Sequence, residues 1–284
     1  MVLSRIRGGI SKILGWRITP YLTLIVILLY LLFPIYWLFI TSFKTQSEVF
    51  RWPPTFFPAD FAFSNYLVAL AQSPVPIFIL NSLIYSLSAA AFVVTIGTLT
   101  TYGLSFFRYR GSEKITFTFF ATRFVPPQAL WLPFVILFIR LGLGNTRTAV
   151  IIFETMLVYP LSIIMLKSIF DAFPRSLIDA ASLDGCSRIG TLIKVVIPIT
   201  APAIAAVAII AFLWTWGDFM FPFLILNTTN LYPITVGIFH FVGDVGVEWG
   251  PISAASVIAI LPGLIFFTIA QRHIVSGMTR GAFK

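Results

Sequence analysis

Cysteine occurs once in the 284 residues, at Cys186. A single thiol excludes an internal disulfide framework. Histidine is almost as scarce, with His240 and His273 alone, and the ten acidic residues are scattered. No metal site is expected from so thin a set of ligands. The dipeptide Gly-Lys never occurs, so a G-x-x-x-x-G-K-[ST] phosphate loop cannot be written anywhere in this chain. Charge as a whole is sparse: 10% of residues are Asp, Glu, Lys or Arg, against about a quarter in soluble domains. A clustered catalytic set, as a membrane-embedded enzyme would need, is not visible.

What remains is apolar. Hydrophobic residues make up 58% of the chain, and the mean hydropathy is +0.97. That composition belongs to an all-α, polytopic membrane protein. A spanning helix needs about 20 mostly apolar residues. Six windows meet the requirement, at about 21–43, 77–107, 115–141, 148–170, 203–226 and 252–275. The first is too long for a signal-peptide core and lacks a small-residue cleavage site, so it reads as an uncleaved span. The third contains Pro126, Pro127 and Pro133 and is expected to be kinked or broken. Residues 1–284 read as one transmembrane domain, without internal repeats or low-complexity tracts.

Lysine and arginine set the orientation. Six spans place fourteen of the nineteen basic residues on one side, in the N-terminal tail, after spans two and four, and in the C-terminal tail. Lys44, Arg51, Arg140 and Arg147 fall on the other side, and Arg123 lies inside span three. Both termini are therefore expected in the cytoplasm of a bacterial or archaeal cell, with the protein multi-pass in its plasma (inner) membrane. The net charge of +9 then reflects topology and anionic lipid rather than nucleic acid. The long outer loop 44–76, rich in proline and aromatics, is expected to pack at the membrane surface.

One cytoplasmic stretch, about 171–198, breaks the apolar pattern. It contains "DAASLDGCSRIGTLIKVVIPITAP" from Asp179 to Pro202. "PRSLIDAASLDG" can form a short helix, with the strong helix formers Ala180 and Ala181 in it. Gly185 supplies a stop where positive φ favours glycine. A second helical piece, Arg188 to Val196, leads to Pro198. The small residues Ala180, Ala181, Ser182 and Gly185 let another backbone approach, which suits docking into a groove of a partner protein.

This stretch resembles the EAA loop of ABC-importer permeases, on Asp179, Ala180, Ala181, Asp184, Gly185, Cys186, Ile197 and Pro198. Asp179 stands where the family usually has glutamate, and Cys186 where it usually has alanine. "FLWTWGDFMFPFLIL" (212–226) and the tail 270–284 resemble the carbohydrate-uptake branch, of the maltose-type second permease. The resemblance implies a type I importer. A second permease subunit, two ATPase subunits holding ATP and Mg, and an extracytoplasmic solute-binding protein are its implied partners. The loop would be the coupling helix that seats in the ATPase.

Ionisable residues within spans are candidates for the solute path. Arg123, Glu154 and Asp218 are three such residues. Trp214, Asp218 and Phe221 fall at i, i+4 and i+7 on one helical face, an aromatic and carboxylate pairing suited to a sugar. Asn81, Tyr85, Ser88 and Thr95 form a polar stripe on span two that either lines a path or bonds a neighbour. Tryptophan could equally be an interface anchor, and Asp218 could cap or pair structurally. Arg123 could snorkel, pair with a carboxylate or meet an anionic solute. The reading is a permease for a sugar, oligosaccharide or polyol. An anionic sugar derivative is the alternative within that class, and a passive channel or membrane enzyme the alternative outside it.

Overall fold

A computed structural model describes residues 2–107, 110–243 and 246–281. The chain is almost wholly helical. Helix α1 is Val2–Thr41, α2 Val75–Phe106, α3 Ser112–Thr122 and α4 Pro127–Arg140. Helix α5 is Arg147–Asp171, α6 Arg175–Leu183, α7 Arg188–Gly217, α8 Met220–Ile225 and α9 Trp249–Gly281. A two-residue hairpin pairs Val242–Gly243 with Gly246–Val247.

Among the described residues, five helices are long and apolar enough to cross a membrane; α3 and α4 together pass the same test but are bent by 98° at their junction. The break expected near Pro126 and Pro127 is therefore sharp. Neither proline can donate to a helical ladder, and the residue before a proline is pushed toward extended backbone. Pro126 has ψ 131 and Pro127 opens α4. The fifth span differs from its expected limits. It begins at Arg188 and stops at Gly217, rather than running over 203–226. Pro198 does not interrupt it. A π turn at Leu192–Val196 carries the helix into Ile197, a common accommodation where the regular hydrogen-bond ladder cannot be kept.

The chain divides into two compact units. One contains Met1–Gln72 and Phe241–Val257. Its outer loop is held by its own polar residues. Glu48 Oε1 accepts from Thr55 Oγ1 (2.7 Å) and from the Ala59 amide (2.9 Å). Asn65 Nδ2 donates to the carbonyls of Ser42 (3.0 Å) and Lys44 (2.9 Å). The Lys44 ammonium donates to the Thr55 carbonyl and lies 4.5 Å from the Trp37 ring centroid. Burial pushes Lys44 below its usual pKa range, with the Glu48 carboxylate opposing the shift. Gln46 ties the loop to the start of α9, donating to the Val247 carbonyl (2.6 Å) and accepting from the Trp249 amide (3.2 Å).

The other unit contains Ser73–His240 and Ile258–Lys284. Helices α2, α5 and α7 pack together at its centre. Gly97 of α2 lets α5 approach closely: a Cβ there would lie 2.6 Å from Ser162 Oγ. Small residues are the usual means by which membrane helices gain contact, because lipid is as apolar as the side chains it would replace. Toward the outer end, Phe153 stacks on Phe221 with centroids 3.6 Å apart, and Tyr85, Phe138, Val150 and Ile225 complete that core.

Candidate functional site

Helix α6 follows Pro174, whose extended backbone starts it cleanly. Its stop is a Schellman motif. Gly185 has φ +78, its amide donates to the Ser182 carbonyl (3.1 Å), and the Cys186 amide donates to the Ala181 carbonyl (2.9 Å). That is the paired arrangement by which orphan carbonyls at a helix end are satisfied. Ser187 then caps α7, accepting from the Gly190 amide at 3.1 Å.

The start of α6 and the start of α7 are both tied to the end of α2. Arg175 Nη2 donates to the Ser105 carbonyl (3.2 Å), and Tyr102 Oη donates to the Arg188 carbonyl (2.9 Å). Phe173 packs edge-on against Phe106, and the Arg188 guanidinium lies 4.9 Å from the Phe107 centroid. Between these anchors Ala181 faces inward, and Asp179, Ala180, Asp184 and Gly185 are exposed. So are the apolar Leu177, Leu183 and Ile189. Among the described residues neither the Asp179 nor the Asp184 carboxylate is paired. Pro198 lies a turn and a half into the π-to-α segment of α7, away from this exposed turn in the chain.

The residues expected on the solute path separate. Trp214, Asp218 and Phe221 do not share a helical face, because α7 ends at Gly217 and Asp218 is extended (φ −71, ψ 135). Two consecutive breakers in effect, a glycine and a capping aspartate, restart the chain as α8. Asp218 Oδ2 accepts from the Phe221 amide at 3.2 Å, and Thr235 Oγ1 donates to the Asp218 carbonyl at 2.6 Å. Phe221 is fully buried on Phe153 and cannot face a solute in this structure.

Asn81 and Tyr85 are buried as well, and their partner is the outer loop. Asn81 Nδ2 donates to the carbonyls of Asn230 (2.8 Å) and Tyr232 (3.0 Å), and Tyr85 Oη donates to that of Leu231 (2.6 Å). Arg147 Nη2 donates to Asn81 Oδ1 at 2.9 Å. Sequence reasoning left Arg147 as an ordinary outer-side charge; its partner lies 66 positions away, and no local pattern signals it. The polar stripe on α2 thus holds a loop, at its outer end, in place.

Glu154 is fully buried. It lies beside Asp218, and neither of its carboxyl oxygens meets a hydrogen-bond partner. One turn further along α5, the Leu157 carbonyl accepts from Arg123 Nη1 at 3.5 Å. The Arg123 guanidinium lies 5.9 Å from the Trp214 centroid. Arg123 and Trp214 are both exposed.

Residues 94–280 match the family model described as "Binding-protein-dependent transport system inner membrane component". The chain belongs to that family. This permease is 33% identical over 276 residues to the sulfoquinovosyl glycerol transport system permease protein SmoH of Agrobacterium fabrum, covering 97% of each chain. It is 26% identical to the diacetylchitobiose uptake system permease protein DasC of Streptomyces coelicolor, covering 94% of this chain and 97% of that one. Its fold matches a chain of a bacterial ABC transporter involved in the import of the acidic polysaccharide alginate, with a TM-score of 0.81 at 23% identity, covering 92% and 96%. The permease is a multi-pass inner-membrane transport component, not an enzyme.

Proposed function

We propose that this permease carries a carbohydrate inward as one of two homologous membrane subunits. Two separate ATPase subunits, holding ATP and Mg, drive it through α6. An extracytoplasmic binding protein delivers the solute. The observation that carries this reading is the exposed α6 turn. Asp179 and Ala180 are exposed on α6 and Asp184 and Gly185 on the turn that follows it; the start of α6 is bonded to α2 and the turn leads directly into α7, so a push on α6 reaches two spans at once. The chain has no phosphate loop of its own, which puts the energy source on another polypeptide. Asp179 and Asp184, unpaired among the described residues, are then available to basic groups on the ATPase.

A sugar class is supported by the exposed Trp214, whose ring can stack on the C–H face of a pyranose, and by the solutes in the names of the two relatives, sulfoquinovosyl glycerol and diacetylchitobiose. The test is purification of this permease under mild conditions from cells that express its whole operon. An ATPase chain and a second permease are expected to come with it, and vesicles containing the set should take up sugar only with ATP and the binding protein present. A permease that purifies alone and passes sugar without ATP refutes the reading.

A further inference from the structure

The bend between α3 and α4 places unusual chemistry inside the bilayer. Arg123 caps the C-terminal end of α3, and residues 122–126 are all exposed. The carbonyl that Arg123 touches, Leu157, lies ten residues into the 25-residue α5. At about 1.5 Å per residue that is about 15 Å deep, near the middle of a core of about 30 Å. Headgroups do not reach that level. The amides of Arg123, Phe124 and Val125 close turns onto Phe120, Ala121 and Thr122, but the helical ladder stops at Pro126, and a break in it at that depth must line a water-filled cavity or be covered by protein. A charged side chain at that depth obeys the same constraint.

The guanidinium is also short of partners. It has five N–H donors, of which the structure gives one a long contact to a carbonyl. Among the described residues the ion pair present is Lys167–Asp171, and no carboxylate meets Arg123. The two acids of this region, Glu154 and Asp218, face each other instead. What Arg123 does have is the face of Trp214, which holds the fork in place without using its donors. A cation positioned on an indole, with its hydrogen-bonding edge free, is built to receive an anion beside an apolar surface.

We propose that Arg123 and Trp214 form an anion-binding subsite of the solute path, and that the sugar carried bears an acidic group: a carboxylate, sulfonate or phosphate. Arg123 takes the acidic group and Trp214 the ring face next to it. This rests on the reading of the chain as a sugar permease.

The experiment has two arms. The cognate binding protein is screened by thermal shift against sulfoquinovosyl glycerol, a tri-uronate and glucose 6-phosphate, with glucosylglycerol, maltotriose and glucose as neutral counterparts. Stabilisation by an acidic member and not by its neutral counterpart is expected. A protein that takes only neutral sugars overturns the anion subsite and leaves the sugar permease standing; one that takes no sugar overturns both. The acidic member found is then used for uptake by the full transporter in vesicles. Arg123→Gln is expected to reduce uptake about tenfold or more, the scale of one charge-assisted hydrogen-bonded contact, and Arg123→Lys to keep part of it. The assembled complex should still purify intact in both. Trp214→Leu should lower uptake while leaving the preference for acid over neutral sugar intact. Unchanged uptake in Arg123→Gln, or equal loss in the Gln and Lys variants, overturns the proposal.

Discussion

Gly185 offers the sharpest perturbation of the coupling turn. Its φ of +78 is a conformation that side-chain-bearing residues reach with strain, yet a Cβ added there would meet nothing within 4 Å. Strain and crowding can therefore be told apart. Valine at this position would be driven out of the left-handed region by about 1–2 kcal/mol. Leaving it breaks the Gly185-to-Ser182 and Cys186-to-Ala181 bonds, so the stop of α6 should be populated about 5–30-fold less. Asparagine, similar in bulk but tolerant of this conformation, should keep most of it. In vesicles containing the complete transporter, Gly185→Val is expected to lower solute moved per ATP hydrolysed, with assembly intact, and Gly185→Asn to lie near the parent. Equal loss in both variants would mean that bulk at the ATPase contact matters rather than the backbone. Normal coupling in Gly185→Val would refute the role of the turn altogether.

Other outcomes follow from single contacts. Tyr85→Phe removes the donor to the buried Leu231 carbonyl and should lower stability by about 1–2 kcal/mol, read as an earlier melting transition in detergent. Glu154→Gln places an amide donor opposite Asp218, where two unbonded oxygens now sit buried; a later melting transition, of about 1 kcal/mol, is expected, and an earlier one would show that the carboxyl is needed as such. Ser187→Ala removes the cap on Gly190 and should weaken the start of α7 by about 1 kcal/mol, seen as faster amide exchange confined to residues 188–192.

Composition alone carried the membrane class, because only runs of about 20 apolar residues can cross lipid with every backbone group satisfied internally. The long apolar helices, the break at Pro126 and Pro127, and the glycine stop at Gly185 were legible for the same kind of reason. Each is a local rule in which the residue type fixes the backbone. The limits of the fifth span were not. Its start at Arg188 lies in a polar stretch that hydropathy skips, and its end at Gly217 depends on Asp218 finding the Phe221 amide and Thr235 finding the Asp218 carbonyl. Periodicity put Trp214, Asp218 and Phe221 on one face; the chain break at Gly217 undid that face and sent Phe221 into the core. Asn81, Tyr85 and Arg147 showed only polarity in the sequence; the first two find their partners at 230–232 and Arg147 finds its own in Asn81, all far away along the chain. The meeting of Arg123 with Trp214 was equally hidden. A sequence states which groups are charged and which segments are greasy, because those are properties of single residues and their neighbours. Which charge is left unpaired is a property of distance, and only the folded chain sets distances between residues 90 positions apart.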